Sequence, residues 1–83
     1  FHVCFVVDPK NINEINEVKK MNEDLVLRAI AMEGTCTGEH GIGYGKVDYL
    51  MKEHGEAVNV MKSIKLSLDP KNIMNPGKVL QID

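Results

Sequence analysis

The chain has 83 residues, a formal charge of −2 and two cysteines, so there is room for one small domain with a marginal core. The ten Lys and Arg residues are scattered along the chain, which argues against a nucleic-acid partner because such partners need a basic patch. No apolar run approaches the roughly 20 residues that span a bilayer, so no transmembrane segment is predicted. We expect both cysteines to be reduced thiols.

The first seven residues predict a β-strand. They are aromatic, β-branched and almost continuously apolar, and a turn signal follows at residues 8–11. Such a run is typical of a strand that is buried on both faces. Because the chain opens on this run without an initiator Met, we expect it to be a piece of a longer polypeptide.

The next segment predicts an amphipathic helix of about twenty residues that starts near Ile12. Apolar residues recur there at steps of three and four: Ile15, Val18, Met21, Leu25, Ala29 and Met32. Asn11 or Asn13 is expected to cap its start. Gly34 is expected to end it in the left-handed conformation.

Two shorter helices are predicted further along the chain, over residues 46–52 and 56–68. The second has one apolar face and is stopped by Asp69 and Pro70. The apolar positions of that face are Ala57, Val60, Met61, Ile64 and Leu68. One N-terminal strand and about three helices predict an α+β fold for residues 1–83, and we expect the other strands of the sheet upstream.

Residues 34–45, which we call the glycine loop, hold five of the seven glycines. Glycine weakens regular structure and permits positive φ, so a shaped loop is predicted. Its spacing fails the dinucleotide-binding pattern, since Lys46 stands where a third glycine would be needed. It also fails the P-loop pattern, because His40 stands where that pattern needs glycine and Val47 stands where it needs Ser or Thr.

The adjacent Glu39 and His40 are the candidate functional pair of this loop. Imidazole can accept a proton near neutral pH, and both side chains can bind divalent metal ions. Because Glu39 and His40 are adjacent in an irregular backbone, we expect their side chains to diverge toward different partners. An equally weighted alternative is structural, with Glu39 capping a turn and His40 hydrogen-bonded. A zinc site made of His2, Cys4, Cys36 and His40 is a weaker alternative, because the paired short spacings of zinc fingers are absent.

Three motifs together resemble the C-terminal end of the FAD-linked oxidase family. They are Thr-Gly-Glu-His-Gly-Ile-Gly at residues 37–43, Leu-Asp-Pro at residues 68–70 and Asn-Pro-Gly-Lys at residues 75–78. This family includes D-lactate dehydrogenase, the glycolate oxidase D-subunit and D-2-hydroxyglutarate dehydrogenase. The resemblance runs from His2 to Leu80. It implies that residues 1–83 are the end of a substrate domain and its helical cap, with the flavin domain elsewhere in the protein.

The resemblance also implies roles for individual residues. His40 would be the catalytic base that meets the substrate. Glu39 and His2 would be ligands of a divalent metal, zinc or manganese, and a further histidine ligand is expected before Phe1. Asn75 would approach the flavin ring. Cys4 stands where some metal-dependent relatives have asparagine, which favours a D-lactate-like member.

The reaction implied by the resemblance is oxidation of a small D-2-hydroxy acid to its 2-oxo acid with FAD as cofactor. A cytochrome, a quinone or another carrier would accept the electrons. The enzyme would lie in the cytoplasm or at the periphery of the inner membrane, and a homo-oligomer is compatible with it. Residues 1–83 alone are expected to be inactive.

Two rival hypotheses remain from the residues alone. The first is a non-catalytic helical interaction module whose apolar faces pack on a partner. The second is a small metal-binding domain that uses His2, Glu39 and His40. Tight binding of stoichiometric zinc, with loss of the fold on chelation, would favour the second.

Overall fold

The structure, a computed structural model, describes residues 2–82. It contains three α-helices, α1 (Ile12–Ala31), α2 (Val47–His54) and α3 (Ala57–Leu68), and no β-strand within that range. The described part of the chain is therefore all-helical. The predicted α+β fold with an N-terminal strand is wrong for these residues.

The segment predicted as a strand, residues 2–7, adopts no regular secondary structure. Phe1, its first predicted residue, lies outside the described residues. A strand needs the backbone groups of a neighbouring strand as hydrogen-bond partners, and residues 2–82 supply no such neighbour. The predicted burial on both faces is also wrong, because Val6 is 95% exposed and Cys4 is exposed.

Helix α1 has the predicted length and the predicted cap. The side chain of Asn11 accepts a hydrogen bond from the backbone N–H of Glu14 at 3.2 Å, which satisfies one of the free donors of the first turn. The predicted end is wrong in detail. Glu33, with φ of 64°, takes the left-handed conformation, while the N–H of Gly34 donates to the carbonyl of Ala29 at 2.7 Å.

The core lies between the two shorter helices and the C-terminal tail. Leu50 of α2, Val58 of α3 and Leu80 of the tail are buried against one another. Partly buried apolar side chains pack around them, namely Ile42, Met61 and Ile82. Because Ile42 belongs to the glycine loop, this cluster fixes one end of the loop to the helices.

The apolar face predicted for α3 is only partly the face that is buried. Val60, Ile64 and Leu68 are exposed, with 80% exposure for Leu68. Val58, one position from the predicted Ala57, is buried instead. The predicted helix is confirmed, but the predicted buried face is wrong at these positions.

No helix within residues 2–82 is both long enough and apolar enough to cross a membrane.

Candidate active site

The glycine loop leaves the end of α1 and leads into α2 without regular structure between them. Gly38 and Gly41 flank the Glu39 and His40 pair and have φ angles of 58° and 77°. Residues with a Cβ rarely adopt this backbone conformation, so glycine at both positions lets the backbone turn sharply. The shaped loop predicted from the sequence is confirmed.

The turn brings together three of the predicted site residues. Oε1 of Glu39 lies 2.9 Å from Nδ1 of His2 and 3.6 Å from Nε2 of His40. The predicted divergence of Glu39 and His40 is therefore wrong, since one carboxylate oxygen approaches both imidazoles. The rings of His2 and His40 are 6.3 Å apart between centroids.

These residues face an open cavity of about 610 Å³. Its lining consists of His2, Val3, Gly38, Glu39, His40 and Lys46. The side chain of His40 is 79% exposed and that of Glu39 is 68% exposed, so a small molecule can reach both. The arrangement offers a proton acceptor and a carboxylate on one wall.

The donor atoms suit a divalent metal in kind but not in number. An imidazole nitrogen and a carboxylate oxygen are common ligands of zinc. In the part of the chain from 2 to 82, however, no group of three or more His, Cys, Asp or Glu side chains is placed to hold a metal ion. The zinc site of His2, Cys4, Cys36 and His40 is therefore wrong, and both cysteines are free thiols.

Two side chains of the α2 region hold the beginning of the turn, and sequence reasoning missed both contacts. Glu53 accepts hydrogen bonds from the N–H of Cys36 at 2.5 Å and from the hydroxyl of Thr35 at 3.2 Å. Nζ of Lys46 donates to the carbonyl of Thr37 at 2.9 Å. These contacts span nine to eighteen residues, so no local pattern reveals them.

The contact between Glu53 and Cys36 shifts the pKa values of both side chains. The hydrogen bond from the Cys36 N–H lowers the pKa of Glu53, which stabilises the carboxylate. Burial, followed by the hydrogen bond to Glu53 and its charge, raises the pKa of Cys36. Burial and a raised pKa both make the Cys36 thiol a poor nucleophile.

Asn75 begins the closing turn, which we define as residues 75–78. It is exposed, with φ of 47°, a left-handed conformation that asparagine tolerates better than most residues. Asn75 lines a cavity of about 370 Å³ with Leu68, Met74 and Lys78 among others. This cavity is not the one lined by the histidines, so the structure does not bring Asn75 into contact with His40.

The closing turn nevertheless packs on the glycine loop. The N–H of Val79 donates to the carbonyl of Gly43 at 2.7 Å. Nζ of Lys78 lies 5.4 Å from the centre of the Tyr44 ring, within the range of a cation–π contact. Two motifs that are some thirty residues apart in sequence therefore form one surface.

Asp69 fixes the segment that leads into the closing turn. Its buried carboxylate pairs with Nζ of Lys65 and accepts the N–H groups of Ile73 and Met74 at 3.1 and 2.9 Å. Lys65 also donates to the carbonyl of Met74 at 2.9 Å. The Lys65 contact, supported by the backbone donors, lowers the pKa of Asp69 from 3.8 to about 2.

The shifted pKa of Asp69 gives an expected pH dependence of stability. Because the folded-state value lies below the ordinary one, the carboxylate stabilises the fold fully above about pH 4 and loses this effect as the pH falls through about 2. We expect Asp69→Asn to lower the melting temperature at neutral pH, and the difference from wild type to shrink between about pH 4 and about pH 2. Thermal melts across that range measure it. Asp24→Asn, an exposed position on α1, is the control, and a wild-type advantage that stays constant with pH would contradict the assignment.

The glycine loop and the N-terminal segment together present a carboxylate and two imidazoles to an open cavity, and these are groups that enzymes use for acid–base catalysis. The sequence of the chain matches, over residues 1–79, the family described as FAD linked oxidases, C-terminal domain. The chain belongs to this family.

Individual relatives agree with this assignment. The chain is 54% identical over 83 residues to a Danio rerio protein named Probable D-lactate dehydrogenase, mitochondrial, covering 99% of the chain and 17% of that relative. It is 51% identical over 81 residues to D-lactate dehydrogenase [cytochrome], mitochondrial, of Arabidopsis thaliana, covering 96% and 14%. It is 40% identical over 83 residues to Glycolate oxidase subunit GlcD of Bacillus subtilis, covering 99% and 18%. The chain thus spans less than a fifth of the length of these relatives.

Proposed function

We propose that the full-length protein is a flavin-dependent oxidoreductase that converts a D-2-hydroxy acid of the D-lactate or glycolate type to the 2-oxo acid. The observation that carries this proposal is the shared cavity of His2, Glu39 and His40, formed by residues within the family match. The names of the relatives, D-lactate dehydrogenase and glycolate oxidase, support the choice of substrate class.

In this proposal His40 is the catalytic base. Its exposed imidazole faces the cavity, where it can take the proton of the substrate hydroxyl. FAD, when bound, supplies the acceptor for the hydride that leaves the carbon bearing this hydroxyl. Loss of one proton and one hydride converts the carbon that bears the hydroxyl to a carbonyl, and the electrons pass on to a cytochrome, a quinone or another carrier.

Asn75 is proposed to contact the flavin. Its side chain is exposed, and Asp69 fixes the segment that leads into its turn through the N–H groups of Ile73 and Met74. The turn also packs on the glycine loop through Lys78 and Tyr44. A side-chain amide can both donate and accept hydrogen bonds, which suits the polar edge of a flavin ring.

Glu39 and His2 are proposed to contribute two ligands to a divalent-metal site, with zinc or manganese as the ion. Two ligands are fewer than the three that catalytic zinc sites take from protein, so other ligands would come from outside residues 2–82. A bound ion supplies Lewis acidity toward a substrate oxygen.

The metal assignment is tested with Glu39→Gln in the full-length protein. We expect metal content to fall about 10-fold or more, because changing a residue around a bound metal typically lowers the metal affinity by at least about that factor. Flavin content should be unchanged. Elemental analysis and flavin absorbance measure the two quantities. Glu17→Gln, on the exposed side of α1, is the matched control. Loss of flavin with retention of metal would show that the role is misassigned.

The function itself is tested by anaerobic reduction of the purified full-length protein. We expect flavin absorbance that is bleached by D-lactate or glycolate, less by D-2-hydroxyglutarate, and not by L-lactate. The 83-residue chain alone is expected to show no activity. Absence of bound flavin, or flavin that none of these acids bleaches, would overturn the proposal.

A further inference from the structure

We propose that Glu53 is a positioning residue that holds the Glu39 and His40 turn toward the cavity, an inference that rests on the function proposed above. Glu53 lies in the last turn of α2, and its side chain is only 12% exposed. One carboxylate oxygen, Oε1, accepts the N–H of Cys36 at 2.5 Å. The other, Oε2, accepts the hydroxyl of Thr35 at 3.2 Å.

The contacts of Glu53 lie immediately before the turn that carries Glu39 and His40. Cys36 is buried, and Lys46 fixes the next residue through the carbonyl of Thr37. Gly38 then opens the turn with a positive φ. Glu53 and Lys46, at opposite ends of α2, thus tie three consecutive residues to one rigid element.

The turn has few other supports. Among the described residues, the backbone groups of Glu39 and His40 make no hydrogen bond to other backbone or to a side chain. Their side chains contact each other and His2, and all three are largely exposed. The position of His40 therefore depends on the segments that flank the turn, and Glu53 supplies the shortest contact of the N-terminal flank.

The chemistry of Glu53 separates this role from a general effect of charge. His54 also lies near the carboxylate, with Nε2 at 2.7 Å from Oε2. The bond to Cys36 uses Oε1, and a carboxamide oxygen can replace a carboxylate oxygen as acceptor there. Reach matters more than charge, because aspartate is one methylene shorter and cannot span the same distance from α2 without moving the loop.

The test compares Glu53→Asp and Glu53→Gln in the full-length protein, with kcat expressed per bound flavin. For Glu53→Asp we expect kcat to fall about 10-fold to 10²-fold, since a displacement of about 1 Å at a reacting group can cost about 10²-fold, with a smaller change in KM and unchanged flavin content. Glu53→Gln should keep kcat close to that of wild type, because the carboxamide oxygen can still accept the Cys36 N–H. Glu56→Asp, an exposed glutamate with no side-chain cap hydrogen bond, is the matched control.

Crystal structures of the same two variants provide a readout that does not depend on activity. We expect the Cα atoms of Glu39 and His40 to move by about 1 Å in Glu53→Asp and to stay in place in Glu53→Gln. An unmoved turn in Glu53→Asp, a normal kcat in that variant, or a Glu53→Gln variant as slow as Glu53→Asp would each overturn the inference. Failure of wild type to reduce its flavin with any 2-hydroxy acid would instead overturn the proposed function, and the crystal structures would still decide the role of Glu53.

Discussion

His40→Ala in the full-length protein is expected to lower kcat by about 10² to 10⁴, the usual contribution of a positioned acid or base. The reason is that the imidazole is the exposed proton acceptor of the cavity that Glu39 and His2 share. Steady-state oxidation of the preferred 2-hydroxy acid, expressed per bound flavin, measures the effect. Flavin content should not change, because this variant removes no proposed flavin contact.

The matched control for this variant is His54→Ala. His54 lies at the end of α2 and does not line the cavity of His40. Its removal leaves both hydrogen bonds of Glu53 to the loop in place, so kcat should stay close to that of wild type. If His40→Ala were as active as His54→Ala, His40 would have no role as base.

Leu50→Ala is expected to cost about 2 to 5 kcal/mol of unfolding free energy, the range for a leucine truncated in a core. Leu50 is 6% exposed and packs between α3 and the tail. For a domain of this size the loss is a large part of the total stability. Urea unfolding of the 83-residue chain, followed by circular dichroism, measures it.

Leu68→Ala is the control for the core substitution, because that leucine is a helical residue with 80% exposure. A change within about 0.5 kcal/mol is expected for such a surface position. Equal losses for the two variants would mean that the cluster around Leu50 is not the core. Since Ile42 packs on this cluster, Leu50→Ala should also loosen the glycine loop.

Local patterns in the sequence predicted the helices well. The apolar spacing and the Asn11 cap gave the start and length of α1, and Pro70 with Asp69 marked the end of α3. Tertiary context decided what local patterns could not. The apolar run at the start of the chain was predicted as a strand, but a strand exists only with a partner, and residues 2–82 provide none.

The direction of the core was also beyond local reasoning. A helical apolar stripe shows that one face is suited to packing, yet α3 buries Val58 and leaves Ile64 and Leu68 exposed. Which side is covered depends on where α2 and the tail lie. An apolar stripe left open in these residues can be covered in a longer protein, so periodicity alone could not fix the buried set.

For the candidate site, sequence and resemblance indicated three residues that the structure groups around one cavity, but not the contacts that hold them there. The grouping of His2 with Glu39 and His40 around one cavity agrees with the roles the resemblance implied, although those roles stay predictions. The contact of Glu53 with Cys36 spans seventeen residues and left no local signal. The pair of Lys65 and Asp69 did leave one, because residues four apart on a helix are neighbours.

The most direct test of the account is a crystal structure of the full-length protein with FAD and a bound 2-oxo acid. We expect an imidazole nitrogen of His40 within hydrogen-bond distance, about 2.7 to 3.2 Å, of the bound acid, with Glu39 turned toward a cation. A His40 ring enclosed in apolar packing, with its nitrogens bonded only to nearby main chain and the acid bound elsewhere, would contradict it.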